Sequence, residues 1–225
     1  MNVFSQIRPV SLREQVAEQI RTAIIEGRLK PNDHIVEATL TAQLGVSRTP
    51  VREALILLER EALVVSSRHR GSFVRVFTEE DVEAIFTMRI TLENFAAELI
   101  IERLTDNDHA YLDKLIETQK KYIEADDFKQ VRSTDMSFHQ FMVNYANHPL
   151  LIRSWQEIVA QIAALLYQRA EAIRDYDEYR AIADHHRIVE AYRSRSIDRV
   201  REENRRINRR VADECKLAVR QLVVT

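Results

Sequence analysis

Residues 38–63 read ATLTAQLGVSRTPVREALILLEREAL, and this stretch decides the fold. It divides into two short helices joined at Gly45-Val46. The first turns Leu40 and Leu44 inward, and the second runs from about Ser47 to Ala62. Pro50 falls in the first turn of the second helix, where its missing N–H removes no hydrogen bond. Val51, Leu55, Leu58 and Ala62 recur at the spacing of one buried helical face. Arg48 and Arg52 lie one turn apart on a different face, beside Ser47 and Thr49. A firmly packed helix thus presents two guanidinium groups and two hydroxyls at its N-terminal, positive end. A recognition helix needs this arrangement, because its first turns meet base edges and phosphates. An ordinary helical hairpin with a charged face carries the same pattern, so the flanking sequence has to decide.

Upstream, Leu12, Val16, Ile20, Ala23 and Ile24 form one stripe, which predicts a helix from about Ser11 to Glu26. Ser11 and Glu14 make a capping box, and Gly27 is the stop. Arg28–Ile35 reads as a connection that turns at Pro31-Asn32-Asp33. Downstream, Val64-Val65 and Ser72–Val76 have strand character around a basic tip. Three helices and a hairpin make a winged helix-turn-helix over residues 1–77. The tip residues Arg68, His69 and Arg70 suit the minor groove or phosphates, and Gly71 permits close backbone approach.

From Thr78 onward the pattern is helical throughout. Thr78 and Asp81 cap a helix to about Arg103, with Val82, Ile85, Phe86, Leu92, Phe95, Ala96, Leu99 and Ile100 inward. Five more helices are expected: 106–124, 127–145, 149–173, 176–193 and 197–222. Asn147 is placed to take a left-handed helix-end conformation before Pro149. The fold class is therefore mainly α, a winged helix-turn-helix followed by an all-α six-helix bundle over 78–225. Such a bundle can enclose a ligand cavity.

Composition narrows the function. The three glycines, Gly27, Gly45 and Gly71, are too scattered for a phosphate-binding loop or a dinucleotide fingerprint. One cysteine, Cys215, rules out an internal disulfide and suits a reducing cytoplasm; it reads as inert core. No apolar run approaches the ~20 residues of a membrane span, and the N-terminus lacks the apolar core of a signal peptide. Net charge is −2, but residues 1–77 hold 11 Lys and Arg against 8 Asp and Glu, and the remainder 22 against 27. A basic module on an acidic remainder is the asymmetry of one DNA-facing domain.

Within the bundle, Phe128, Val131, Asp135, Phe138, His139, Met142 and Tyr145 share one helical face. A carboxylate and an imidazole one turn apart on a buried face need partners. One answer is a metal ion, since Asp and His at i, i+4 suit zinc, nickel, manganese or iron. The other is hydrogen bonding among themselves or to an organic ligand. The stripe Ile182, Val189, Tyr192 points either His185 or His186 inward. Arg89, near the inward stripe of the first bundle helix, either grips an effector carboxylate or pairs with Glu93, its i+4 neighbour. The Arg-rich run 199–210, interleaved with Glu202 and Glu203, reads as a solvated, ion-paired face.

Leu44–Leu55 with Leu58-Glu59 and Arg70–Val74 resembles the GntR family of bacterial transcription regulators. The bundle resembles the ligand-sensing FCD domain of the FadR-type branch: Met88-Arg89 with Leu92-Glu93, Asp135 with Phe138-His139, and His185 with Ile188 fit its pattern. Length and helix count favour the VanR-like subgroup. The resemblance implies a homodimer on a short palindromic DNA operator, with a small organic-acid effector in the bundle changing DNA affinity. It implies that Arg48 and Arg52 contact bases or phosphates, supported by Ser47, Thr49 and Gly71. It selects His185 over His186, and Arg89, Asp135, His139 and His185 as the effector site. Metal-binding relatives use one Asp and three His; the position of the third His is Ile207 here, beside Asn208. A divalent ion would then keep three protein ligands, Asp135, His139 and His185, and open positions. Many relatives also carry an arginine where this chain has Ala38, so the operator is expected to differ.

Two rival readings use the same residues. A metal-dependent hydrolase would employ Asp135, His139 and His185, but no motif-spaced base or nucleophile elbow accompanies them. A protein-interaction adaptor on a winged scaffold would have no use for Arg48 and Arg52.

Overall fold

The computed structural model describes residues 11–67, 69–173 and 176–223. The chain forms two compact units that part between Val76 and Phe77. In the first, α1 (Leu12–Ile25), β1 (His34–Ile35), α2 (Glu37–Leu44), α3 (Arg48–Arg60), β2 (Val64–Ser67) and β3 (Gly71–Val74) follow in order. The Ser11 N–H donates to the Glu14 carboxylate at 3.0 Å, and Gly27 leaves α1 at φ 66°. α1 buries Val16, Ala17, Ile20, Ala23 and Ile24 where it packs on α3, which buries Val51, Ala54, Leu55 and Leu58.

Four expectations for this unit need correction. Leu12, read as part of the α1 stripe, is 49% exposed at the helix start. α3 stops at Arg60, and Ala62 is half-buried at φ 54°, in the left-handed turn into β2 rather than on the helix face. Leu40 and Leu44 are only half-buried, because the eight-residue α2 packs chiefly on α3 and buries none of its residues fully. The connection before α2 contains a strand. β1 pairs antiparallel with β3, His34 opposite Phe73, and the sheet order is β1-β3-β2. A two-residue strand is too short to show a period in sequence.

The hairpin register places Val64 opposite Val74 and Ser67 opposite Gly71. Gly71 sits at φ 87°, and a Cβ there would lie 2.7 Å from His34 Nε2. The His34 ring is itself stacked on Phe73, centroids 4.8 Å apart. Gly45 ends α2 at φ 64° with nothing within 4 Å of a Cβ. The two glycines should therefore respond differently to alanine. Gly45→Ala is expected to cost about 1 kcal/mol, the left-handed penalty alone. Gly71→Ala should cost about 2–3 kcal/mol, since it adds strain and displaces a stacked ring. Denaturant midpoints of the N-terminal unit check this; equal costs would contradict it.

The second unit contains α4 (Glu79–Ile100), α5 (Asp106–Glu124), α6 (Phe128–Tyr145), α7 (Pro149–Ala172), α8 (Tyr179–Arg193) and α9 (Ile197–Val223). Thr78 and Asp81 cap α4 reciprocally at 2.9 and 3.2 Å. Asn147 takes φ 49° ahead of Pro149, as the sequence predicts. α9 packs along α4, α7 and α8, and α5 along α6 and α8. The core holds Trp155, Phe138, Tyr192, Ile162 and Val200. Cys215 is buried within it; burial pushes the thiol up to about 12, and it lies 3.7 Å from the Leu165 carbonyl.

Two aromatic residues assigned inward are exposed. Phe95 is 38% exposed and meets the His148 ring edge-on; Phe128 is 40% exposed in the first turn of α6. α8 begins at Tyr179, three residues later than the expected start at 176. The arginine-rich face of α9 is also more than a solvated stripe. Arg206 and Arg210 reach the buried Asp184 on α8, and Arg210 also binds Glu214.

Candidate functional site

On the winged unit, α3 starts after Ser47, and Ser47, Arg48, Thr49 and Arg52 are all exposed. Arg52 Nε lies 2.9 Å from the Glu37 carboxylate on α2, so one guanidinium is steered by the preceding helix. Ala38, on the same first turn of α2, is exposed and offers no polar group. At the wing tip His69 and Arg70 are exposed, and the Arg70 guanidinium lies 5.9 Å from the Phe73 ring centroid. Arg68 lies outside the described residues. At Gly71 the close approach is made by His34 of the same unit.

In the bundle, Asp135, His139 and His185 come together. Their ligand atoms lie within 4.8 Å of one another. Helical spacing on α6 puts Asp135 and His139 on one face, and α8 brings in His185 from the opposite side. His186 is exposed. His185 Nε2 is 3.3 Å from His139 Nε2 and 3.4 Å from Asp135 Oδ1. The Phe138 ring stacks on His185 at 4.1 Å and fixes its plane.

The far sides of both rings are engaged. His139 Nδ1 lies 2.9 Å from Glu93 Oε1, and His185 Nδ1 lies 2.9 Å from Gln119 Oε1. The Gln119 amide nitrogen faces two acceptors, Asp135 Oδ1 and the Val131 carbonyl, each at 3.5 Å, which orients its oxygen toward His185. His185 therefore carries its proton on Nδ1, while His139 Nδ1 lies beside the Glu93 carboxylate without the alignment of a hydrogen bond. The two Nε2 atoms and a carboxylate oxygen then converge on one small space. Holding the proton on His185 is unfavourable: burial outweighs the pull of Asp135 and brings it down to about 4. Burial raises the Asp135 carboxyl, but His185, His139, Arg89 and Arg169 together hold it below its ordinary value. A carboxylate and two imidazoles, His185 oriented by its hydrogen bond with Gln119 and His139 by the Glu93 carboxylate beside its Nδ1, form a donor set that fits a divalent ion.

Glu93 is the hub behind this set. It is 4% exposed, and its Oε1 takes Arg89 Nε at 2.9 Å as well as His139. Its Oε2 accepts from Asn208 Nδ2 at 2.8 Å. Burial alone would raise this carboxyl, yet Arg89 and His139 hold it well below the carboxylate range. Arg89 thus makes the i, i+4 pair with Glu93 through Nε, and it also lines the cavity beside Asp135 and His139. Ile207 is buried against the same cavity, and among the described residues the ligand set consists of Asp135, His139 and His185.

The cavity measures about 30 Å³ and touches Asp135, His139, His185, Arg89 and Arg169. That is room for a water or an ion, and an organic acid would enter beside it only as the lining helices move apart. Arg169 on α7 is 7% exposed, and its guanidinium packs 4.3 Å from the Tyr176 ring centroid. Nη1 is 3.5 Å from Glu214, while the buried Nε has no partner among the described residues. Glu214 is already shared with Arg180 and Arg210. Sequence reasoning missed Gln119, Arg169, Asp184 and Glu214. Each lies on a helix face that shows only ordinary amphipathic spacing, and only the packing of α5, α7, α8 and α9 brings them to the site.

Family models match both units. Residues 12–74 match the model described as bacterial regulatory proteins, gntR family, and residues 84–210 match the FCD domain. The chain is 30% identical over 190 residues to a gluconate operon transcriptional repressor of Bacillus licheniformis, covering 82% of this chain and 76% of that one. It is 31% identical over 186 residues to a probable D-xylose utilization operon transcriptional repressor of Paenarthrobacter nicotinovorans, covering 80% and 79%. The solved structure of E. coli McbR/YncC superposes with a TM-score of 0.78 at 26% identity, covering 90% of this chain and 95% of that one. These relatives are DNA-binding regulators, and no described helix is long and apolar enough to cross a membrane. The chain belongs to the GntR family of bacterial transcription regulators, in the FadR-type branch that joins an FCD domain to a winged helix-turn-helix.

Proposed function

We propose that this regulator reads a short palindromic operator as a homodimer in the cytoplasm, and that a small organic acid bound beside a divalent ion in the FCD bundle changes its DNA affinity. Arg48 and Arg52 meet base edges or phosphates with Ser47 and Thr49 alongside, and the wing tip 68–71 follows the minor groove. A two-fold dimer matches the symmetry of a palindrome. Met88, Phe95 and Leu150, all exposed on α4 and α7, supply apolar surface for a second copy. Repression is the direction in which the named relatives act. Six helices in the bundle suit the VanR-like subgroup.

The observation that carries the metal and effector reading is the convergence of two Nε2 atoms and Asp135 Oδ1 with both Nδ1 atoms engaged. Asp135, His139 and His185 would hold zinc, nickel, manganese or iron. Ile207 leaves the remaining positions to water or to an effector carboxylate. When bound, the ion supplies Lewis acidity toward that carboxylate. The residue that grips its charge is Arg169 rather than Arg89, because Arg89 is already committed to Glu93 while Arg169 keeps a free buried N–H.

Elemental analysis of protein purified without chelator or affinity metal tests this reading. About one metal per chain is expected, lost in Asp135→Ala. No metal in either sample, even after incubation with zinc, manganese and nickel, would reject it.

A further inference from the structure

A second cavity lies on the other side of Glu93. It is a groove of about 550 Å³ between α4 and α9, within the size range of small-molecule sites. Phe86 and Ile90 form its apolar wall, Thr87 and Thr91 line α4, and Arg205, Asn208 and Arg209 line α9.

Asn208 is 2% exposed. Its amide nitrogen faces two acceptors, Glu93 Oε2 at 2.8 Å and the Asn204 carbonyl at 3.0 Å. That fixes the amide orientation, since a flip would set its oxygen against a carboxylate and a carbonyl. The Oδ1 atom is then left as a buried acceptor without a partner among the described residues. Such an atom costs free energy unless something donates to it.

The charges at the rim are unequal in the same sense. Glu83 is tied to Lys216, and Asp213 lies 3.9 Å from the same ammonium. Arg205 and Arg209, one turn apart and exposed, have no ion pair or hydrogen bond among the described residues. Their neighbours Arg201, Arg206 and Arg210 are all paired. Two free guanidinium groups at i, i+4 can close on one anionic group from both sides.

We propose that the α4–α9 groove is a second ligand site, separate from the Asp135/His139/His185 cavity, for a small anion that also carries hydroxyl groups. Arg205 and Arg209 take the carboxylate or phosphate, Asn208 Oδ1 accepts from a hydroxyl, and Phe86 and Ile90 cover the carbon chain. The arrangement selects against anions that have no donor, because they leave Oδ1 unpaired.

The test is calorimetric titration of the full chain with glycerate and with glycerol 3-phosphate, beside propionate and methyl phosphate, which lack hydroxyl donors. At least one hydroxylated anion is expected to bind tenfold or more tightly than its donor-free counterpart. Arg205→Ala with Arg209→Ala, both on exposed positions and harmless to folding, should weaken it at least tenfold. Asp135→Ala, which touches neither Glu93 nor Asn208, should leave it within about threefold. Asn208→Ala should erase the preference for hydroxylated probes; if that variant unfolds, the arginine pair still decides. Three results would each overturn the proposal: no binding of either hydroxylated anion at millimolar concentration, equal binding of the donor-free anions, or binding lost in Asp135→Ala and kept in the arginine variant. The last would assign the anion to the Asp/His cavity instead.

Discussion

Replacing Arg48 and Arg52 together by alanine is expected to lower affinity for a selected operator duplex by at least about 30-fold. Each good bidentate contact to a base is worth roughly 1–3 kcal/mol, and two lost together span about 2–6 kcal/mol. The folded state should hardly notice. Both side chains are exposed, and the Arg52–Glu37 pair is a surface ion pair of the kind that contributes about 0–1 kcal/mol. Fluorescence anisotropy on an operator selected from random duplexes measures the loss. Unchanged affinity would move the recognition surface away from the start of α3. Where the lost contact is a phosphate contact, binding should fall evenly across sequences and the salt dependence should flatten. Glu37→Ala separates steering from direct contact: it removes the 2.9 Å tether of Arg52 without touching the guanidinium.

Glu93→Gln is expected to destabilise the bundle by about 3–5 kcal/mol, the effect of leaving one member of a buried ion pair without its partner. Glu93 is 4% exposed and Arg89 is 3% exposed, so water cannot replace the lost charge. The same substitution loosens His139 and Asn208, which share the carboxylate. For a chain of this size that corresponds to a fall in melting temperature on the order of 10 °C for the C-terminal unit. Adding Arg89→Met should restore much of it, because the uncompensated charge is removed along with its partner. A drop below about 2 °C for Glu93→Gln alone would mean that Arg89 finds another anion or reaches solvent.

How far these sites were legible in the sequence follows from how local their signals are. The recognition helix, the wing and the caps at Ser11, Thr78 and Asn147 rest on residues close in sequence, and the structure places them as expected. Asp135 and His139 were visible for the same reason, being one turn apart on an apolar stripe. His185 was visible only to within one residue from its own stripe, and the family pattern chose it over His186. β1 was missed because two residues carry no period, although its pairing with β3 fixes the wing. Phe95 and Phe128 were misplaced because a helical stripe says which face is apolar and not where that face runs out of neighbours. The charged residues around the cavity were the least legible. Asp184 and Glu214 gather arginines from α7, α8 and α9, and nothing in one helix announces a partner on another.

The central claim is that the Asp135/His139/His185 cavity governs DNA binding. The most direct measurement is operator affinity by anisotropy, with and without zinc and a series of small carboxylic acids, in the wild-type chain and in His139→Ala. At least one acid should change the wild-type affinity tenfold or more, and the variant should bind the same operator without responding. An equal response in both chains, or none in the wild type, would contradict the account.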